Sequence, residues 1–275
     1  MPGKICYLGD DHLQGAAAYL AGIFLHYGTA FDHVPSAEPP PVEFASIPYA
    51  AYVISDYPSL RLGHAAMAHI AARVEEGAGL LMIGGWESFH GRLGEYNESP
   101  LASVLPVLMR ASDDRRNFPQ PCLIEKAAEH EILSGLPWDQ PPGIGGINLV
   151  TAKPGAETLL AAASFSVLHT VPLKSFRLAA KETGVASFSL VRSGEAFHFS
   201  AADRAPLLIV GRYGAGRTAA LTTDVAPHWV GGFVDWGDQR IAQAVGSGMI
   251  EVGNWYARFF HNLVAWTGRL DEFRD

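Results

Sequence analysis

Leu80-Leu81-Met82-Ile83-Gly84-Gly85-Trp86-Glu87-Ser88-Phe89-His90-Gly91 carries an apolar run into paired glycines, then releases Trp, Glu, Ser and His in quick succession. A continuously apolar run, unlike an alternating one, marks a parallel strand buried on both faces. Side chains released at the carboxyl end of such a strand lie where an open α/β sheet places its ligands. The stretch also has the outline of the sharp strand-to-helix turn on which some α/β enzymes present a nucleophile. No cysteine stands in it.

The flanking sequence repeats the same grammar. Residues 4–9 read as a short buried strand that ends in Asp10-Asp11-His12. Leu13, Ala16, Ala17, Leu20, Ile23 and Phe24 recur at helical spacing across residues 13–27, and Gly28 is placed to stop the helix. Residues 31–35 predict a second strand, 36–41 a proline-rich loop, and 51–55 a third strand that ends at Asp56-Tyr57-Pro58. Residues 63–76 predict a helix closed by Gly77, ahead of the strand at 80–83. This order predicts a parallel sheet covered on both faces.

From Asn97 to Gly146 prolines interrupt the pattern, which predicts long loops over a sheet edge, with 122–125 as a strand candidate. Residues 148–152 and 158–163 read as strands. Residues 186–191 and 196–199 flank Arg192-Ser193-Gly194-Glu195, a hairpin signal. The region from about 164 to 205 is thus either an antiparallel extension of the sheet or a β insertion. Residues 206–213 and 217–223 flank Gly214-Ala215-Gly216, a tight-turn signal. A last amphipathic helix is expected over 255–267, with Trp255, Phe259, Leu263 and Trp266 on one face. No linker divides residues 1–275, so one domain is expected.

Composition narrows the function classes. The 275 residues are 48% hydrophobic and 17% charged, with a formal net charge of −8. No Lys/Arg block offers an electrostatic footprint for nucleic acid. The N-terminus lacks a signal-peptide pattern and no apolar run has membrane-spanning length, so a cytoplasmic protein without a membrane partner is expected. Cys6 and Cys122 have no metal spacing, and Cys6 is expected as a packed thiol.

Four strand ends carry polar clusters: Asp10-Asp11-His12, Asp56-Tyr57, Trp86-Glu87-Ser88 with His90, and Asp224 with His228-Trp229. Their shared edge predicts a pocket. Three chemistries fit these residue types. Ser88 could be a nucleophile, with His228 or His90 as base and Glu87 or Asp224 orienting the base. Asp10, Asp11, His12, Asp56, Glu87, His90, Asp224 and His228 include ligands suited to a metal, but no recognised spacing joins them, so none is assigned. Binding without chemistry is the third: Tyr57, Trp86, Trp229 and Trp236 as aromatic faces, Asp56, Glu87 and Asp224 as acceptors. Gly211-Arg212-Tyr213-Gly214-Ala215-Gly216-Arg217 is no phosphate loop, since it joins two strands and lacks the Lys-Ser/Thr that would follow. Gly9-Asp10-Asp11 fails the dinucleotide fingerprint, and no cofactor is expected.

Taken together, Tyr7-Leu8-Gly9-Asp10-Asp11, Ser55-Asp56-Tyr57-Pro58, the Gly84–Gly91 stretch and Thr223-Asp224-Val225-Ala226-Pro227-His228-Trp229 resemble the "putative glutamine amidotransferase" family of the class I glutamine amidotransferase-like superfamily. The resemblance runs over roughly residues 4–267. It implies a bacterial cytoplasmic protein with a flavodoxin-like three-layer α/β sandwich, whose mostly parallel sheet carries an antiparallel β extension. Class I amidotransferases place a cysteine at Gly-x-Cys-x-Gly, with a later His-Pro-Glu. Here Gly85 or Trp86 stands in the cysteine's place, and His228 lies between Pro227 and Trp229.

Thiol-dependent glutaminase chemistry is therefore not expected. The expected function is an amidotransferase-like protein that binds a small polar ligand through Asp10, Asp11, Asp56, Trp86, His90, Asp224 and Trp229. The alternative is a serine- or metal-dependent hydrolase of a small polar substrate, with Ser88, His228 and Glu87 in the catalytic roles. The glycine-rich, apolar segment 231–248, with Trp236, offers a surface for a second copy of the chain.

Overall fold

Alternate side chains of the apolar runs go to opposite cores, which is what a strand covered on both faces requires. In the computed structural model, which describes residues 3–170, 187–192 and 195–270, β1 (Ile5–Gly9) sends Ile5 and Tyr7 to one side and Cys6 and Leu8 to the other. β2 (Phe31–Val34), β3 (Ala51–Ser55) and β4 (Gly79–Ile83) lie parallel to it and to one another. The first core holds α1 (Ala17–His26). The second holds α3 (His64–Glu76), which follows the single turn α2 (Ser59–Leu62).

The proline-rich stretch from residue 97 to 146, expected as long loops with a strand candidate at 122–125, supplies more strand than that. After α4 (Leu101–Val104) come β5 (Val107–Leu108), β6 (Arg115–Lys126) and β7 (Gly143–Asn148), and β6 and β7 belong to the main sheet. Their antiparallel ladder breaks between Asn117 and Cys122, around Pro119. Proline has no N–H to give a ladder, so an interrupted strand accommodates what a regular one excludes. β8 (Thr151–Ala152) pairs with β5 in a short ribbon.

β9 (Glu157–Thr170) and β11 (Glu195–Tyr213) form a long antiparallel pair, with register shifts at Pro206 among other places. β10 (Ser187–Arg192) pairs with β11 from Ser187↔Ser200 to Arg192↔Glu195, which is the hairpin expected there; Ala186, Ser193 and Gly194 lie outside the described residues. The described residues between 164 and 205 lie in strands of the sheet, those of β9, β10 and β11. β11 then turns through Gly214-Ala215 into β12 (Gly216–Leu221), with Tyr213 paired to Gly216.

β12 returns parallel to β4, and the sheet runs β2-β1-β3-β4-β12-β11-β9-β6-β7, with β10 on β11. Its parallel half has the flavodoxin-like order, with β12 as fifth strand. The class I amidotransferase-like α/β fold, with a parallel core and an antiparallel extension, is as the sequence led us to expect. α5 (Pro227–Val230) and the hairpin of β13 (Arg240–Val245) and β14 (Gly248–Gly253) precede α6 (Asn254–Gly268). The hairpin and α6 both pack against α1. Phe233 and Trp236 of the 231–248 segment are buried within this chain, Trp236 against Trp138 and Trp255. Among the described residues no helix is long and apolar enough to cross a membrane.

The ends of β1 and β3 meet almost without clearance. Gly9 has φ +142°, and a Cβ there would lie 1.6 Å from the Ser55 carbonyl oxygen. Gly9→Ala is therefore expected to destabilise the fold by more than about 3 kcal/mol, from backbone strain plus displacement of β3. Urea unfolding of the variant beside the parent would measure it.

Candidate functional site at the strand ends

Order reversal in a doubly wound sheet opens a crevice at the carboxyl ends of the two strands where it occurs. Here those strands are β1 and β3, and the residues immediately after them are Asp10 and Asp56. Both take left-handed backbone, φ 52° and 44°, a conformation that aspartate tolerates better than most residues. Asp224, three residues past β12, joins them. Three carboxyl groups from three separate strand ends place oxygens within 4.8 Å of one another.

Each carboxyl is held by a neutral donor. The Tyr7 hydroxyl donates to Asp10 Oδ2. Asp56 Oδ1 accepts from the Glu87 N–H at 2.8 Å. Asp224 Oδ1 accepts from the N–H groups of Val225 and Ala226 at 2.6 and 2.9 Å. The paired glycines now have a use: a Cβ on Gly85 would stand 2.0 Å from Asp56 Oδ1. Gly85 is clamped in turn by Asn148, which accepts from its N–H at 2.9 Å and donates to its carbonyl at 3.1 Å. The same Asn148 amide donates to buried Asp114 at 2.7 Å, and Asp114 accepts from the N–H groups of His90 and Gly91.

Burial, followed by the charge of Asp56, pushes Asp10 up to about 8. Burial raises Asp56 to about 6. Burial and the charges of Asp56 and Asp10 raise Asp224 well above the carboxylate range. Partial burial also raises Glu87. These are the shifts of like charges crowded out of water.

The expected site residues separate into two groups. Asp10, Asp56 and Asp224 converge, and the partly buried Glu87 gives its N–H to Asp56 and acts on it through charge. Trp86 is beside them, 49% exposed, with the Arg115 guanidinium 4.4 Å from its ring centre. Asp11 is exposed and serves the turn into α1, accepting from the N–H of Ala16 at 3.1 Å. Ser88 is fully buried and its Oγ accepts from the Asp56 N–H at 3.0 Å. His90 is partly buried and His228 is exposed on α5. Among the described residues no hydrogen bond joins Ser88 to either histidine. Trp229, expected as a ligand face, is instead buried, its ring against Gly146 and its Nε1 donating to Asn117 at 2.8 Å. Trp236 and Tyr57 are likewise buried.

The turn after β4 also differs from a nucleophile elbow in shape. An elbow passes directly into a helix. Residues 84–95 instead form bends and turns, with Phe89 at φ 52°. Neither cysteine approaches the role: both are buried, burial raises Cys6 far above the thiolate range, and burial pushes Cys122 up to about 12. A separate cavity of about 490 Å³, lined by Lys153, Arg212, Arg217 and Trp266 among others, lies at the opposite end of the parallel strands. Lys153 there donates to the Ala102 and Ser103 carbonyls, and Arg217 to that of Trp266.

The family described as "Putative glutamine amidotransferase" matches residues 57–173 and 192–245. The chain belongs to this family. Solved structures similar to this glutamine amidotransferase-like protein include two cytoplasmic proteins of Salmonella typhimurium. One is 25% identical with a TM-score of 0.67, the match covering 96% of this chain and 99% of that one. The other is 23% identical with a TM-score of 0.65, covering 96% and 98%. A protein described as ThuA-like, from Bacteroides uniformis, is 13% identical with a TM-score of 0.52, covering 96% and 91%. No curated protein matches the chain.

Tyr7, Ser55, Asp114 and Asn148 were not among the residues expected from the sequence. Tyr7, Ser55 and Asn148 are polar groups within or at the ends of largely apolar strands, which was the available signal, whereas Asp114 lies in the charged run Asp113-Asp114-Arg115-Arg116 and carried none. Asn148→Ala leaves the Gly85 N–H and the Asp114 carboxyl short of partners in a buried place, and is expected to cost about 2–4 kcal/mol in urea unfolding.

The raised aspartates also set a pH dependence. With Asp10 pushed up to about 8 in the folded chain, its proton is held well above the pH of about 4 at which an unfolded aspartate loses it. Between these limits the folded state binds more protons, so stability is greatest at the acid end and falls as pH rises. Tyr7, Asp11, Asp56 and Asp224 face Asp10, and none supplies a positive charge to offset this. Without added divalent ions, the melting temperature should fall from pH 5 to pH 8. Asp10→Asn should flatten that fall and melt at least about 4 °C above the parent at pH 8, given roughly 2–4 °C per kcal/mol for large domains.

Proposed function

We propose that this glutamine amidotransferase-like protein binds a small polar ligand at the strand ends, through Asp10, Asp56, Glu87 and Asp224, and performs no thiol-dependent glutamine hydrolysis. The observation that carries this reading is the convergence of three carboxyls from separate strands at the order-reversal point of the sheet. Carboxylates accept hydrogen bonds and attract positive charge, so the ligand class is one rich in hydroxyl or amino donors, such as a polyol, a sugar or an amino sugar. Trp86, beside the cluster, offers an apolar face to the carbon skeleton of such a ligand. Ser88 supports Asp56 by accepting its N–H, a positioning role. A cytoplasmic setting fits the free, buried thiols and the description of the two Salmonella relatives.

The test is thermal stabilisation by a panel of polyols, sugars and amino sugars, run beside an ammonia-release assay with glutamine. A stabilising ligand whose effect is lost in Asp56→Asn is expected, together with no ammonia above the blank. Ammonia release removed by Cys6→Ala or Cys122→Ala would overturn the chemical half. A ligand unaffected by Asp56→Asn would overturn the location.

A further inference from the structure

We propose that Asp10, Asp56 and Asp224 bind one divalent cation of the Mg²⁺, Mn²⁺ or Ca²⁺ class, each giving a carboxylate oxygen. This rests on the strand ends being the binding site. The donor set is oxygen only, and three carboxylates suit hard cations over the softer ones that favour thiolate or imidazole. The spacing agrees. Oxygens on opposite sides of an ion lie about 4.2 Å apart for Mg²⁺ and about 4.8 Å for Ca²⁺, twice the usual metal–oxygen distance. All three aspartates offer oxygens inside the larger limit.

A second observation points to the same place from outside the acidic cluster. Ser55 Oγ is fully buried at the end of β3 and directed at the Asp10 carboxyl, yet it makes no hydrogen bond of good geometry there or elsewhere. A buried hydroxyl left unpaired is costly, and one next to a carboxylate cluster is relieved by an ion or by ion-bound water. The charge balance has the same gap. Among the described residues no lysine, arginine or histidine forms an ion pair with any of the three aspartates.

The restraints are those of an ion site as well. Tyr7, the Glu87 N–H and the N–H groups of Val225 and Ala226 hold one oxygen of each carboxyl. Donors that orient ligating carboxylates without neutralising them are the usual support behind a metal. Three protein ligands leave the remaining positions of a six-coordinate ion for water and for hydroxyl groups of the ligand proposed above.

The test uses the full chain stripped with EDTA and titrated with Mn²⁺, followed by electron paramagnetic resonance and calorimetry. One Mn²⁺ per chain, displaced by Mg²⁺ or Ca²⁺, is expected, with at least a tenfold weaker affinity in Asp10→Asn and in Asp224→Asn. Asp113→Asn, an exposed carboxylate paired with Arg115, should leave the affinity unchanged. The asparagine variants preserve shape and remove charge, and their melting curves establish that they fold. No Mn²⁺ binding at millimolar concentration, or binding indifferent to Asp10→Asn and Asp224→Asn, overturns the ion. If Mn²⁺ fails while an EDTA-insensitive ligand still needs Asp56, the ion alone falls and the carboxyls meet the ligand through shared protons. If Mn²⁺ fails and ligand stabilisation ignores Asp56→Asn, the strand ends themselves fall as the site.

Discussion

The ends of β1 and β3 come together so closely that only hydrogen fits on Gly9, whose Cβ would meet the Ser55 carbonyl. Much of the site follows from that contact. Two chains leaving adjacent parallel strands in opposite directions must turn at once, and Asp10 and Asp56 turn through left-handed backbone. The turns bring two carboxyls to one side of the crevice. β12, arriving beside β4 from the antiparallel half, supplies the third from its own end. The extension of the sheet is therefore part of the site, because without β9 and β11 there is nothing to carry β12 back into parallel register.

The glycines at 84 and 85 gain a different meaning in this setting. In a nucleophile elbow, small residues let a strained side chain stand clear of the turn. Here Gly85 makes room for Asp56 and is itself gripped by Asn148. The turn presents no nucleophile; it forms a wall of the carboxyl cluster. That is consistent with a family defined over residues 57–173 and 192–245, which contains the turn and Asp224 but begins one residue after Asp56. Family membership thus speaks for the fold and the turn, while Asp10 and Asp56 stand on geometry.

What could be read in the sequence was whatever one element determines alone. The apolar runs at 4–9, 51–55 and 80–83, the helix at 63–76 and the Gly214-Ala215 turn each announce themselves through local pattern, and the parallel half of the fold followed from their order. Of β6 only 122–125 was expected as a strand, because its prolines read as loop, and the ladder gap around Pro119 reconciles them with a strand. Trp229 was misplaced for a related reason: a tryptophan after a strand end looks the same whether it faces a ligand or Gly146. Asp114 and Asn148 lie far from Gly85 in the chain, and no local pattern records a hydrogen bond of that span.

The manner in which the three aspartates are held separates a site from a structural network. A buried carboxylate kept for stability is ordinarily matched by arginine, lysine or several strong donors, because an uncompensated charge in a protein interior is expensive. Elsewhere in this chain the more exposed Asp113 and Glu125 take Arg115 and Arg204 as partners, and the fully buried Asp114 takes three donors, the Asn148 amide and the N–H groups of His90 and Gly91. Among the described residues Asp10, Asp56 and Asp224 receive a phenol and backbone N–H groups, with the Ser55 hydroxyl directed at Asp10, and these fix direction and leave the charge unanswered. Protons can answer it in the free protein, which is the meaning of the raised values of all three groups. That penalty, carried at the order-reversal point with each oxygen positioned, favours the proposed binding of positive charge or hydrogen-bond donors from outside.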